Sequence, residues 1–414
     1  MSPETSRPVA TGAPGRGTGA QRPGAGGAGA RPDRPPPWRD VRVLRALAQL
    51  AFLVAVGALL WWLWSNLRTN LASSGITTSF NYLDRPGGFD IRGSDYRPSQ
   101  AIRAAIAVGL VNTIRVSAVG ICLALLIGTL VGIARLSPNW LLRRSAALYV
   151  ETLRNIPVLV IIIFMYSAVL LRLPAITEAI ELLGLGVFSN RSVGLPWVET
   201  AGDAAAYLGV LVAGLFTAIA VAAVRSRRFD RTGTPHHRLL WGCGIFLAVA
   251  AAGFLALGGP VRPSFPALEG RLIIGGVQLA PAFAALLTAL TLYTASHIAE
   301  IVRGSIQAVP KGQTEAANAI ALSSFQRLRY VVLPQAFRIA VPPLSNQFLN
   351  LIKNSSLAAF IGFPEMVTIT NTIISNGNPA PQSIAVLMAA YLVLALSISL
   401  VTNLVNRSLA LEAR

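Results

Sequence analysis

About eight stretches of this chain are apolar over lengths that let a helix cross a bilayer, which takes roughly 20 residues. They run at about 46–65, 104–134, 146–171, 203–224, 239–257, 279–300, 336–362 and 383–405. The pattern predicts an all-α, polytopic membrane protein. One polar connection stands apart from the others. It begins with the basic turn Val309-Pro310-Lys311-Gly312-Gln313 and continues from Glu315-Ala316-Ala317 to Leu333-Pro334, reading EAANAIALSSFQRLRYVVLP. Spans are usually joined by a few turn residues. A long, helix-favouring connection implies that something in the aqueous phase holds it.

Local signals give that segment an internal structure. Ser323-Ser324-Phe325-Gln326 is a capping-box pattern, in which the Ser323 hydroxyl caps a helix and Gln326 reaches back. Pro334 stops or kinks the helix that follows. Phe325, Leu328 and Val332 recur on one face, with Arg327 and Arg329 elsewhere. An amphipathic helix lying on lipid headgroups has the same pattern, so residues alone leave both readings open.

Composition agrees with a bilayer protein: 53% of residues are hydrophobic and only 13% charged. The net charge of +18 would fit a nucleic-acid binder. Its distribution does not. With the N-terminus inside, cytoplasmic segments collect 23 of the 35 Lys and Arg, outside loops hold nine, and Arg115, Arg154 and Lys353 fall within spans. That asymmetry orients a membrane protein with both termini in the cytoplasm. No nucleic-acid partner is expected, because no aromatic-interleaved basic module appears.

Residues 1–45 read as a disordered basic tail, rich in Gly, Pro, Ala and Arg. Gly24–Gly29 matches G-x-G-x-x-G formally, but no strand precedes it and no helix follows. The first apolar run starts near Ala46 at full span length, unlike a cleaved signal peptide. An extra span at 46–65 and a periplasmic loop at 66–103 come next; that loop is either a solvated cap or a docking surface. Residues 104–171 and 276–405 form a core, the second part including a cytoplasmic loop at 303–335. Residues 172–275 are an insertion with two spans that carry almost no polar residue, which suits lipid-facing scaffold. Leu182–Phe188 within it reads as an interfacial segment, and 406–414 as a cytoplasmic tail.

Span 336–362 carries Ser345, Asn346, Gln347, Asn350, Lys353, Asn354, Ser355 and Ser356, and Pro342-Pro343 break it near its start. Polar groups in hydrocarbon cost several kcal/mol each unless buried or wet, of the order of 2–7. This helix is therefore expected to face a protein-lined cavity. Lys353 has no carboxylate neighbour along its helix. With Asn350, Asn354 and Ser355 it is the candidate substrate pathway, since a solute bearing a carboxylate needs cations; packing helices or lining a gate is the alternative for the same cluster. Glu151 with Arg154, and Glu300 with Arg303, stand three apart and can pair, as structural or gating charges. Gly109, Gly120, Gly128 and Gly132 let helices approach closely.

Cys122 and Cys243 sit in apolar spans, without a disulfide role. His236-His237 and His297 lack partners at metal spacing, so neither a metal nor a cofactor is expected. No G-x-x-x-x-G-K-[ST] occurs, hence no phosphate cradle. If ATP drives this protein, the motor is another polypeptide.

The Glu315–Pro334 block resembles the EAA loop of inner-membrane permease subunits of bacterial ABC importers. The EAA is intact and Leu333-Pro334 close the motif, with Val331 at the family's Ile position and Ala321 at its Gly position. Ala321 must either take an awkward turn or leave a more continuous helix. Gly109–Thr113 (GLVNT), Ala134–Ser137 (ARLS), Tyr149–Pro157 (YVETLRNIP), Tyr293–Ala308 and Leu351–Leu357 (LIKNSSL) are similar to the polar amino acid branch. The added first span and inserted pair look like the general L-amino acid permeases. After RNIP, related permeases often have Gln where this chain has Ile161.

The resemblance implies a type I importer-like core with no chemical reaction of its own. It implies a coupling loop at Lys311, Gly312, Glu315, Ala316, Ala317, Ala321, Leu333 and Pro334, docked in a cleft of a separate ATP-binding subunit. It also implies a second permease subunit as heteromeric partner, a periplasmic solute-binding protein that delivers the amino acid, and a place in the bacterial inner membrane. The rival is an ion- or proton-coupled secondary transporter, a class that often shows internal repeats; none is visible. A membrane enzyme would need a nucleophile–base pair or a metal cluster, and neither is evident.

Overall fold

The computed structural model describes residues 41–73, 75, 79–232 and 237–409. Most of the expected tail at 1–45, part of the basic stretch between the inserted spans, and 410–414 lie outside the described residues. Met1–Thr77 and Thr78–Arg414 are separate units. The first contributes one helix, α1 (Val41–Ser73), apolar enough to cross a membrane and about three and a half turns longer than the expected first span.

The second unit holds α2 (Ile102–Ala134), α3 (Trp140–Asn155), α4 (Val158–Phe164), α5 (Ala204–Thr232) and α6 (Arg238–Ala256). It continues with α7 (Pro281–Gln307), α8 (Lys311–Ala319), α9 (Ser324–Arg327), α10 (Leu333–Ser355), α11 (Met366–Ser375) and α12 (Ala380–Leu409). The fold is predominantly helical. Among the described residues, five helices can cross a membrane by length and composition, or up to seven if each of two bent pairs is one span; Leu240–Ala256 is a shorter apolar helix.

Both bent pairs correct the expected layout. The stretch 146–171 is α3 followed by α4, bent by 102°. Pro157 drives its predecessor out of the helical region, and Ile156 is extended at φ −97°, ψ 130°. Conversely, Pro342 and Pro343 lie inside α10 without interrupting it. Ala340, Val341 and Leu344 are buried around them, so packing holds the helix where two N–H groups are missing. The break comes later, at a 3₁₀ segment Ser356–Ile361 and the left-handed Gly362, before α11 turns off by 46°. No element was expected where α11 lies.

α7 is the axis of the unit. Of its most apolar window 61% is buried, against 33% for α2 and none for α12. Leu286, Leu290 and Ile298 are fully buried, packed with Val116 and Ala124 of α2, Ile162 of α4 and Leu351 of α10. Small residues set the α2–α7 distance. A Cβ on Gly128 would lie 2.7 Å from the Ile298 Cβ and 2.8 Å from the Ala295 carbonyl oxygen; one on Gly132 would lie 2.8 Å from the Ala299 oxygen. Residues 79–101 form an ordered cap, in which Tyr82, Ile91 and Tyr96 pack on Ile102, Ala105, Ile369 and Ile373.

Eight short strands among the described residues were not foreseen. β1 (Ile180–Leu182), β2 (Gly186–Phe188), β3 (Val193–Leu195) and β4 (Trp197–Thr200) precede α5. β5 (Val261–Ser264), β6 (Ala267–Glu269), β7 (Leu272–Ile274) and β8 (Val277–Leu279) follow α6. They pair as β1-β2-β3-β8, β4-β5 and β6-β7, all antiparallel. The expected interfacial segment Leu182–Phe188 is thus a hairpin. Its turn residues Leu183 and Gly184 both have positive φ, which hairpin twist demands and Leu rarely accepts.

Candidate functional site

The connection between α7 and α10 folds as an elbow of two short helices. Lys311 and Gly312 open α8 after Pro310. Its end is a Schellman arrangement: the Leu322 N–H donates to the Ala317 carbonyl at 3.1 Å and the Ala321 N–H to the Asn318 carbonyl at 2.9 Å. Ala321 sits at φ +57°, so of its two expected options it takes the strained turn. Glycine does so freely, whereas a Cβ in this region costs about 1–2 kcal/mol.

Ser323 then caps α9 as its sequence predicts. The Gln326 N–H donates to the Ser323 hydroxyl at 3.3 Å and the Ser323 N–H to the Gln326 Oε1 at 3.0 Å. A π turn at Leu328–Val332 leads directly into α10, with Pro334 in its first turn. Pro334 therefore does not end the helical path.

Side chains clasp α8 to its surroundings. The Arg327 guanidinium donates to the Asn318 Oδ1 at 2.5 Å, and the Gln335 Nε2 to the Gln313 Oε1 at 3.2 Å. Ala317 is buried, and it anchors the helix from within. Glu315 and Ala316 are exposed. Ile320, Phe325 and Tyr330 are 72%, 67% and 64% exposed, an apolar surface too large for a connection that only faces water. The braced elbow thus exposes both a carboxylate and several large apolar side chains.

An ion cluster joins α2 to α7. Arg135, at the end of α2, donates to Glu300 on α7, and Arg303 donates to the same carboxylate from one turn along. Arg303 also reaches the Gln307 Oε1 at 2.5 Å. The second expected pair does not form: Glu151 and Arg154 are both exposed and share no ion pair. Arg135 was missed as a partner because 165 residues separate it from Glu300.

The candidate pathway residues divide between two faces of α10. Asn346, Asn350 and Lys353 are exposed along one stripe, spaced four and three apart. Asn354 is half-buried. Ser355 is buried and its hydroxyl donates to the Ile352 carbonyl at 2.7 Å, so it packs the bundle and does not join Lys353.

Glu365 was not singled out beforehand. It is fully buried and caps α11, accepting from the N–H groups of Val367 and Thr368 at 2.9 Å each and from the Tyr391 hydroxyl at 3.0 Å. Beside it the Asn112 Nδ2 donates to the Pro364 carbonyl at 2.9 Å. This node ties α2, α11 and α12 together where the second bent pair turns. An acidic residue directly before an apolar, helix-forming run was the available signal.

A bundle of apolar helices with a braced polar elbow and a polar stripe on one inner helix defines a membrane permease. The chain belongs to the family of binding-protein-dependent transport system inner membrane components, whose model matches residues 120–411. It is 40% identical over 377 residues to the putative amino-acid ABC transporter permease protein YhdX of Escherichia coli K12, covering 89% of this chain and 94% of that one. It is 37% identical to the general L-amino acid transport system permease protein AapQ of Rhizobium johnstonii, covering 88% and 92%. It is 35% identical to the glutamate/glutamine/aspartate/asparagine transport system permease protein BztB of Rhodobacter capsulatus, covering 91% and 96%.

Proposed function

We propose that this chain forms part of the inner-membrane passage for L-amino acid uptake, driven by a separate ATP-binding subunit that grips the α8–α9 elbow. One observation carries the reading. Glu315 stands exposed on an elbow that also exposes Ile320, Phe325 and Tyr330, runs directly between α7 and α10, and is tied to α10 through Gln313 and Gln335, so force applied there reaches both helices. Differential binding of the closed ATPase to one state of the bundle would then shift it between outward- and inward-open forms.

The substrate class comes from the names of the relatives, three of which are amino acid permeases. A soluble binding protein delivers the solute from outside. A second permease subunit faces the Asn346–Asn350–Lys353 stripe, because bare polar side chains on a membrane helix need a wet or protein-lined neighbour. Residues 104–171 and 276–405 are the core in this scheme, 172–275 the insertion, and both termini are cytoplasmic.

The test is uptake of radiolabelled L-amino acids by cells that carry Glu315→Lys in place of the native chain. Abundance in the membrane should be unchanged and uptake lost. Undiminished uptake with normal abundance would overturn the docking role.

A further inference from the structure

Two apolar crevices, of about 440 and 800 Å³, open side by side at the ends of α2, α7 and α10 next to the elbow, and share Ile133, Ile306 and Leu333 as walls. The first has a basic residue at its margin. Arg338 lines the first, is half-buried, and has no ion pair or hydrogen bond among the described residues.

A guanidinium beside apolar walls, with no carboxylate to answer it, is costly unless an anion arrives from elsewhere. Water alone would suit the cation but not the greasy crevice beneath it. A ligand with an anionic head and a hydrocarbon tail satisfies both parts at once. Basic pockets between membrane helices on the cytoplasmic side select such headgroups.

We propose that this double crevice holds an anionic phospholipid of the cytoplasmic leaflet, its phosphate on Arg338 and an acyl chain against Ile133, Ile306 and Leu333. The leaflet rests on the proposed orientation, with the elbow inside. Because Leu333 belongs both to the crevice wall and to the start of α10, the lipid braces the junction between elbow and bundle. Occupancy would thus be linked to the stiffness of the segment on which the ATPase pulls.

The experiment uses the whole transporter, purified with its partner subunits, delipidated and placed in nanodiscs of phosphatidylcholine with or without phosphatidylglycerol. Retained lipid is read by native mass spectrometry and stability by thermal unfolding. Wild type should keep phosphatidylglycerol through delipidation and melt higher in its presence. Arg338→Gln should weaken retention about tenfold and remove the phosphatidylglycerol-dependent rise. Arg338→Lys should keep part of it, and Arg329→Gln, outside the crevice lining, should retain phosphatidylglycerol to the wild-type extent. Equal retention in wild type and Arg338→Gln would overturn the site. So would loss of subunit association in Arg338→Gln with no lipid dependence, which would mean that a protein partner covers the crevice. Labelling of a Ser137→Cys variant with a membrane-impermeant maleimide tests orientation separately. Reaction from outside would refute the proposed topology and the cytoplasmic leaflet, while Glu315→Lys reports on docking alone.

Discussion

Arg135 and Glu300 join the end of α2 to α7 through an ion pair whose side chains are only 15% and 27% exposed. Arg303 completes the cluster from Glu300's own helix. The two arginines are therefore not equivalent: one crosses between helices, and the other reinforces a turn already formed.

Removing the crossing partner should matter more. Arg135→Ala is expected to destabilise the purified protein by about 1–3 kcal/mol, since it takes a charged hydrogen bond from a partly buried carboxylate. Arg303→Ala should cost about 0.2–0.5 kcal/mol as an i,i+3 pair, plus any loss at Gln307. A thermal double-mutant cycle with Glu300→Gln measures both. Equal coupling energies for the two arginines would contradict the distinction.

Ala321 holds a left-handed backbone that its Cβ resists. Ala321→Gly should relieve about 1 kcal/mol and slow local opening of the elbow. Hydrogen exchange over Ile320–Gln326 reads this directly. Faster exchange in the glycine variant would show that extra chain freedom outweighs the relieved strain.

The α2–α7 contact makes opposite predictions for two glycines. Gly128→Val drives a side chain into Ile298 and the Ala295 backbone, with an expected loss of about 1–3 kcal/mol or more. Gly304→Ala, on a helix and with nothing within 4 Å of the new methyl, should be neutral or stabilising by about 0.5–1 kcal/mol. Comparable melting temperatures for the two variants would mean that the close approach is not maintained in the membrane.

Lys353 and Ser355 separate pathway from packing. Lys353→Ala is expected to raise the KM for uptake about tenfold if its ammonium meets the substrate carboxylate. Ser355→Ala, whose hydroxyl turns back onto its own helix, should leave KM unchanged. Transport kinetics at matched expression decide this. An unchanged KM in Lys353→Ala would remove that residue from the substrate path.

Local signals in the chain carried much of this picture. The capping box at Ser323, the Glu300–Arg303 pair and the close approach at Gly128 all follow from neighbours within a few positions or from one residue's size. Features set by distant contacts did not show themselves. Arg135 meets Glu300 across 165 residues, and Tyr391 reaches Glu365 across a helix break. The strands at 180–200 and 261–279 are three or four residues long, too short for an alternating pattern to emerge. Pro157 and Pro342-Pro343 show the limit most plainly: one proline bends its span sharply and two others do not, because burial of the flanking residues decides the outcome.

Reconstituted vesicles test the central claim most directly. The account predicts that the chain, assembled with its ATP-binding and partner subunits, accumulates L-amino acid only when ATP is hydrolysed, and that Glu315→Lys removes this accumulation. Accumulation by this chain alone, driven by an ion gradient without nucleotide, would contradict it.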